Sequence, residues 1–325
     1  MPEVDPQRTQ GTKGALAGWR WIGFVVSLVL IAAAVWAVRG QWGSFREVER
    51  AVETGKWWLV LAAVGLPVLN WLLTSGVFYF LTLSRAQRAG VATVPLREMT
   101  LLIGSAWLLN YLPLSPGMLG RVAYHKAVHR IPVVATLGVL VSALLIGVAV
   151  VGCVLIVVLA AGHRTALYLP LLGAPPVLLF AAAALLRKGN QRLGAWRYAA
   201  AAGLRWLDVL VWMARYAVVF SLLGRSLTLA EAAAIAAASQ AAMQIPLVGN
   251  GLGVREWAVG LVGPMLPAWM SGGAAGVSQG LGLSADLLNR GFELAAALPV
   301  GLLCTTLLAG RHRQGSAGHQ PESHP

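Results

Sequence analysis

Acid is scarce in this chain. Twelve aspartates and glutamates stand against 25 lysines and arginines in 325 residues, and charged residues of both signs make up only 11%. A soluble domain carries about 25% charged residues, so a surface this poor in charge excludes a water-soluble globule. Only three aspartates occur, Asp5, Asp208 and Asp286, which leaves no DxD site for a metal-bound nucleotide. A Walker-type phosphate loop is also absent. ATP-driven chemistry lacks its parts, and neither enzymatic activity nor a cofactor is expected. Cysteine is rarer still: Cys153 and Cys304 both lie in apolar runs, where they read as small buried hydrophobes and imply no disulfide or metal framework.

What is abundant is apolar sequence in long blocks. Hydrophobic residues make up 58% of the chain and the mean hydropathy is +0.70. The clear blocks are residues 19–38, 57–83, 99–114, 131–161, 167–186, 204–223, 229–247 and 274–308, with a shorter proline-broken one at 257–270. A helix needs roughly 20 apolar residues to cross a bilayer core, and several blocks reach that. Lipid offers no partner for free backbone groups, so helices are the spanning form this pattern allows. Tryptophans bracket several blocks (Trp19, Trp57, Trp58, Trp206, Trp257, Trp269), as an interfacial aromatic belt requires. The fold class expected is all-α: a polytopic membrane helix bundle of about six to nine segments. Residues 1–18 form a polar N-terminal tail, 19–310 the membrane domain and 311–325 a disordered C-terminal tail. Block 19–38 is read as a retained helix and not a signal peptide, because it has no short apolar core and many spans follow.

The net charge of +13 would suggest nucleic acid in a soluble protein. Here the cations sit between apolar blocks, where they orient helices and meet anionic headgroups; no nucleic-acid partner is expected. The connection 187–205 carries Arg187, Lys188, Arg192, Arg197 and Arg205 and no acid, and a second holds Arg85, Arg88 and Arg97. Both are read as cytoplasmic. Three apolar blocks lie between them where an even number of crossings is required, so block 99–114 is expected to enter and return on one side. That assignment also keeps the basic stretch 121–130 inside.

Two interrupted stretches stand out. The first, 110–130 (NYLPLSPGMLGRVAYHKAVHR), joins Asn110, Pro113, Gly117 and Gly120 to Arg121, His125 and Lys126. Its prolines and glycines preclude a regular helix, and its cations suit a phosphate headgroup; the alternative is an interfacial loop anchored on anionic lipid. The second, 240–256 (QAAMQIPLVGNGLGVRE), places Gln240 and Gln244 on one helix face, then Pro246, Gly249, Asn250, Gly251 and Gly253, then Arg255 and Glu256. The alternative there is helix–helix glue plus a tight turn. Pro113-Leu114, four residues, Leu119-Gly120 matches Pro246-Leu247, four residues, Leu252-Gly253. With the basic loops inside, the two stretches fall in inverted halves, the arrangement that in transporters marks a midplane binding site. A third group, Asp286, Arg290 and Glu293, shares one face of the last block. It is either a functional intramembrane face or a self-neutralising stripe. Asp208 and Arg215 make a weaker case, since Arg205 can pair with Asp208 near the interface. His125 and His129 are four apart but lack a nearby carboxylate or cysteine in sequence, so no metal site is expected.

The run IPLVGNGLGVRE, preceded by RWLDVLVWMARYAVVFSLLG, resembles the flippase-like transmembrane region of lysylphosphatidylglycerol synthases, a family that includes stand-alone membrane proteins. The matching elements are a Pro turn, glycines and Gly253-Val254-Arg255-Glu256, with Asn110, Pro113, Gly120 and Arg121 in the first half and Arg290 in ADLLNRGFEL. The likeness covers roughly 57–308. Two places depart from it: Arg121 stands where Glu is common, and 131–161 lacks a usual Glu-Arg pair. The resemblance implies movement of a lipid or lipid-linked headgroup between leaflets of the cell inner membrane, with anionic phospholipid or a polyprenyl-linked lipid as partner. Only 17 residues follow Leu308, so the aminoacyl-transferase activity of the full synthases is not expected. The competing expectation is a non-catalytic membrane partner of a glycosyltransferase or lipid-modifying enzyme.

Overall fold

The computed structural model describes residues 53–317 apart from 92, 112–115, 163, 190–193, 245–252, 267–269 and 271–275, together with Arg46 and Arg50. Among them are nine helices and no strand: α1 (Trp57–Arg88), α2 (Leu96–Leu109), α3 (Pro116–His129), α4 (Val133–Ala161), α5 (Thr165–Gly189), α6 (Ala195–Leu222), α7 (Leu229–Met243), α8 (Val254–Met265) and α9 (Gln279–Ala317). The chain is an all-helical membrane bundle. Four helices, α1, α4, α5 and α9, have segments long and apolar enough to cross a bilayer. Their outer faces carry exposed Leu, Ile and Val, among them Val134, Leu145, Ile156, Leu159, Leu169, Val177, Leu178, Leu302 and Leu303. An exterior of this kind is what lipid, not water, selects.

The helices repeat in order and in packing. Exchanging α1 with α6, α2 with α7, α3 with α8 and α4 with α9 maps the neighbours onto one another. Thus α2 packs on α9 as α7 packs on α4, α1 touches α4 as α6 touches α9, and the α1–α6 contact maps onto itself. Helix α5 is the unpaired element and packs mainly on α6. Local chemistry repeats too. Helix α1 stops at Gly90 (φ 65°), with Val91 N donating to Ala86 O (3.1 Å). Helix α6 stops at Gly224 (φ 78°), with Arg225 N donating to Phe220 O (2.9 Å). Both are glycine-terminated caps whose left-handed residue would strain any side chain. A short link then leads into α2 or α7, the latter opened by a reciprocal Thr228–Glu231 capping box.

Small residues set the spacing where helices meet. A Cβ on Gly301 of α9 would collide with Leu108 of α2, and one on Gly76 of α1 would come within 2.7 Å of Leu204 on α6. With no hydrophobic drive between helices in lipid, such close approach and interhelical hydrogen bonds supply the cohesion.

Three expectations change. The proline-broken block 257–270 was allowed a crossing of its own; α8 has only 12 residues, about 18 Å of helix, well short of a bilayer core. The basic connection 187–205 is mostly not a loop, because α6 begins at Ala195 and carries Arg197 and Arg205 as helix residues. Apolar continuity was broken there by charge, and the charges prove to face inward. Helix α9 extends to Ala317, into the stretch assigned to the tail.

Candidate functional site

Within its apolar core the bundle encloses a polar centre. A cavity of about 240 Å³ opens between α1, α2, α6, α7 and α9. Asn110 and Arg121 reach it from the first interrupted stretch, Gln240 and Gln244 from the second, and Glu293 from the third group. Asn70, Trp71, Thr74, Phe78, Trp107, Arg205, Asp208, Trp212 and Arg215 also line it, with apolar side chains between them.

Glu293 is the hub. One oxygen accepts from Arg215 Nη2 (2.8 Å) and Arg255 Nη1 (3.1 Å); the other accepts from Tyr111 Oη (2.7 Å) and, at longer range, Trp107 Nε1 (3.5 Å). Arg255 Nε also donates to Asp286 (3.0 Å), whose second oxygen accepts from Tyr216 Oη (2.5 Å). Arg215 donates further to Asn289 Oδ1 (3.1 Å) and Asn70 Oδ1 (3.2 Å), and its guanidinium lies 3.8 Å from the centre of the Trp212 ring. Asn70 in turn donates to Asp208 Oδ1 (2.7 Å). Arg205, three residues from Asp208, donates to that carboxylate and to Gln240 Oε1 (2.6 Å). Arg290 and Glu256 are in ionic contact at 2.5 Å, though without good hydrogen-bond angles. Arg255, Glu256 and Asp286 are 0% exposed. Charges this deep are tolerable only when matched, and these are matched across helices: α6 and α8 against α9.

The charge balance around the cavity is uneven. Arg205, Arg215, Arg255 and Arg290 are answered by Asp208, Glu256, Asp286 and Glu293. Arg121 is a fifth arginine with no carboxylate in ionic contact among the described residues. Its guanidinium instead lies 4.2 Å from the centre of the Phe78 ring, and its Nε has no hydrogen-bond partner. Nearby, Asn110 Oδ1 is also unpartnered. Gly117 lets α3 close against the end of α2: a Cβ there would sit 2.6 Å from Asn110 Oδ1 and collide with the Ala106 carbonyl.

Several sequence candidates are placed differently from expectation. Arg255, the arginine of the second interrupted stretch, is consumed by Asp286 and Glu293. The face Asp286–Arg290–Glu293 exists, but it is not self-neutralising, since each member pairs with another helix; only Glu293 lines the cavity. The Arg205–Asp208 pair was assigned to the interface; it lines the cavity. His125 is buried beside Arg121 in a separate small recess with Phe78, Thr82 and Thr136, while Lys126 and Gly120 are exposed. His129 contacts Glu98 (2.6 Å), not His125 through a metal, and no metal-ligating cluster occurs among the described residues. Gly253 takes φ 81° at the start of α8, the conformation only glycine adopts without strain. Pro113, Pro246 and Asn250 lie outside the described residues.

Sequence reasoning did not single out Asn70, Tyr111, Trp212, Tyr216 or Asn289. Asn70 was findable as a lone amide inside an apolar block. The aromatic residues were not, because lipid-facing and cavity-facing rings look alike in a sequence. Gly276-Val277-Ser278-Gln279-Gly280 spells the G-x-S-x-G of a nucleophile elbow. An elbow needs a strand before it, whereas Ser278 precedes α9 and its Oγ accepts from Leu281 N (3.3 Å) as a helix cap.

No protein-family model, curated protein or solved structure matches this chain.

Proposed function

We propose that this protein binds a phosphate-bearing lipid headgroup in the cavity and passes it between leaflets of the cell inner membrane, as a stand-alone relative of the flippase-like region it resembles. The observation that carries this reading is convergence: ends of both interrupted segments reach one polar cavity, and the only arginine there without a carboxylate partner among the described residues, Arg121, faces it. The exposed apolar faces of α4, α5 and α9 leave room for acyl or prenyl chains outside while the headgroup enters.

The helix order supports inverted halves. If α1, α4, α5 and α6 cross while α2–α3 enters and returns, α6 runs opposite to α1, and α7–α8 enters from the other side. The basic residues Arg85, Arg88, Arg97, Arg187 and Lys188 then share one face, consistent with the positive-inside rule. Two half-segments entering from opposite sides would offer the headgroup a contact on each side of the midplane. The role is transport and not catalysis: each carboxylate at the cavity is engaged by arginine, so none stands free as a general base.

The test is translocation of tagged phospholipid by the full chain reconstituted in vesicles. Wild type should accelerate movement and Arg121→Ala should abolish it while the purified protein keeps its thermal stability. A chain that moves no lipid, or an Arg121→Ala variant as fast as wild type, would overturn the reading. The first outcome, with an enzyme co-purifying, would favour the accessory-subunit alternative.

A further inference from the structure

The groups left free in the cavity describe the headgroup more narrowly than "phosphate-bearing". Among the described residues, four of the five arginines at or next to the cavity are matched by four carboxylates, so its walls carry one unanswered positive charge, on Arg121. Among the described residues, the other lining polar groups outside these pairs are neutral, amides together with the Thr74 hydroxyl. Asn110 Oδ1 has no partner, Gln244 lies against Gly147 of α4, and the Gln240 amide nitrogen meets only the Met243 sulfur, at 3.7 Å. Asn70 does not join them, because its oxygen is held by Arg215 and its nitrogen by Asp208. Neutral amides bind hydroxyl groups well, as donors and acceptors at once. They give nothing to an extra ammonium or a second phosphate that water would not give better.

Resting on the transport reading above, we propose that the cavity selects a monoanionic phosphodiester whose remaining headgroup is uncharged, rich in hydroxyls and no larger than glycerol or one hexose. Among the described residues, a second negative charge would find no free cation in the walls. An amine would find no free carboxylate there and would be repelled by Arg121. The cavity, at about 240 Å³, is smaller than the roughly 300–1,000 Å³ of pockets that enclose drug-sized ligands, so an oligosaccharide does not fit. Two sources share this chemistry: a glycerophospholipid with a glycerol headgroup, and a polyprenyl monophosphate bearing one sugar.

The experiment uses the full chain in phosphatidylcholine vesicles, each batch carrying a trace of one tagged lipid. The lipids are phosphatidylglycerol, a polyprenyl monophosphohexose, a polyprenyl diphosphohexose, phosphatidylethanolamine and lysyl-phosphatidylglycerol. At least one of the first two should cross about tenfold faster than the last three, and which one does so names the source. Arg121→Gln should slow the favoured lipid to the rate of the last three without lowering thermal stability, and Arg121→Glu should turn the preference toward the lysyl lipid. Equal or faster movement of the diphosphate or amine lipids in wild type would overturn this inference and leave transport standing. No movement of any lipid would overturn both.

Discussion

The two interrupted segments occupy equivalent places in the repeat, and the bundle treats them differently. Helix α8, after the second break, is clamped. Arg255 and Glu256 are wholly buried, and the helix sits on α9 so closely that a Cβ on Gly260 or Gly263 would lie 2.7 Å from Leu283 or Val277. Helix α3, after the first break, buries only Gly117 and His125 of its 14 residues. Arg255 bridges two carboxylates; Arg121 has an aromatic ring and an open cavity. One copy is a fastener, and the other, with its arginine open to the cavity, is the proposed receptor. Chemical availability thus tracks which charges remain unmatched, not where a motif is richest in charge, which is why Arg255 is the poorer ligand candidate despite the more conspicuous sequence around it.

The strongest way to break this comparison is to remove the hub. Glu293→Ala leaves Arg215 and Arg255 short of a buried counter-charge, and losing one partner of a buried pair typically costs about 3–5 kcal/mol. Thermal unfolding in detergent should shift sharply down, or folded protein should fail to accumulate. Arg121→Ala, in the same assay, should barely move. Equal sensitivity at both positions would erase the distinction between fastener and receptor.

That contrast also marks how far the sequence could be read. The membrane bundle followed from block length and absence of charge, because lipid constrains every helix alike. The repeat was visible in Pro-Leu and Leu-Gly spacing, and its packing counterpart appears in the exchange of α2–α9 for α7–α4. Arg255, Glu256, Asp286 and Glu293 were legible as charges that burial makes costly. Their pairing was not, since which carboxylate meets which arginine depends on helix rotation that no local spacing encodes. For the same reason Arg205 looked like a loop cation. Its helix starts ten residues earlier, at Ala195, and turns it toward Gln240.

A conservative change sharpens the fastener. Arg255→Lys keeps the charge but not the planar fork that reaches Asp286 from Nε and Glu293 from Nη1. An ammonium is a compact point charge that cannot occupy the positions of both Nε and Nη1, leaving one carboxylate under-bonded, at about 1–3 kcal/mol. The loss should fall below that of Glu293→Ala and be read in the same unfolding assay. Full stability in Arg255→Lys would show that charge alone, without bidentate geometry, holds α8 to α9.

The receptor side has its own pair of probes. Gly117→Ala drives a methyl group into the end of α2 and the Asn110 amide, and overpacking of this kind costs about 1–3 kcal/mol. Gly120, three residues on, has nothing within 4 Å of a Cβ. Gly120→Ala should therefore be neutral or slightly stabilising, since alanine is the better helix former by about 1 kcal/mol. Transport should follow the same order, falling in Gly117→Ala as α3 and Arg121 are displaced. Equal effects would mean that α3 is not seated against α2 as the geometry requires.

The smallest effect is the most diagnostic, because its sign separates a binding group from a structural one. Asn110 caps α2, yet its side-chain oxygen is buried without a partner. A structural amide would destabilise the protein when removed; an unsatisfied one carries a desolvation cost that its removal relieves. Asn110→Ala should leave stability unchanged or raise it slightly, while uptake of a hydroxyl-bearing lipid falls by a few-fold, about what one neutral hydrogen bond is worth. A fall in stability with unchanged uptake would assign Asn110 to the fastener's kind of work, and the first interrupted segment would lose the feature that sets it apart from the second.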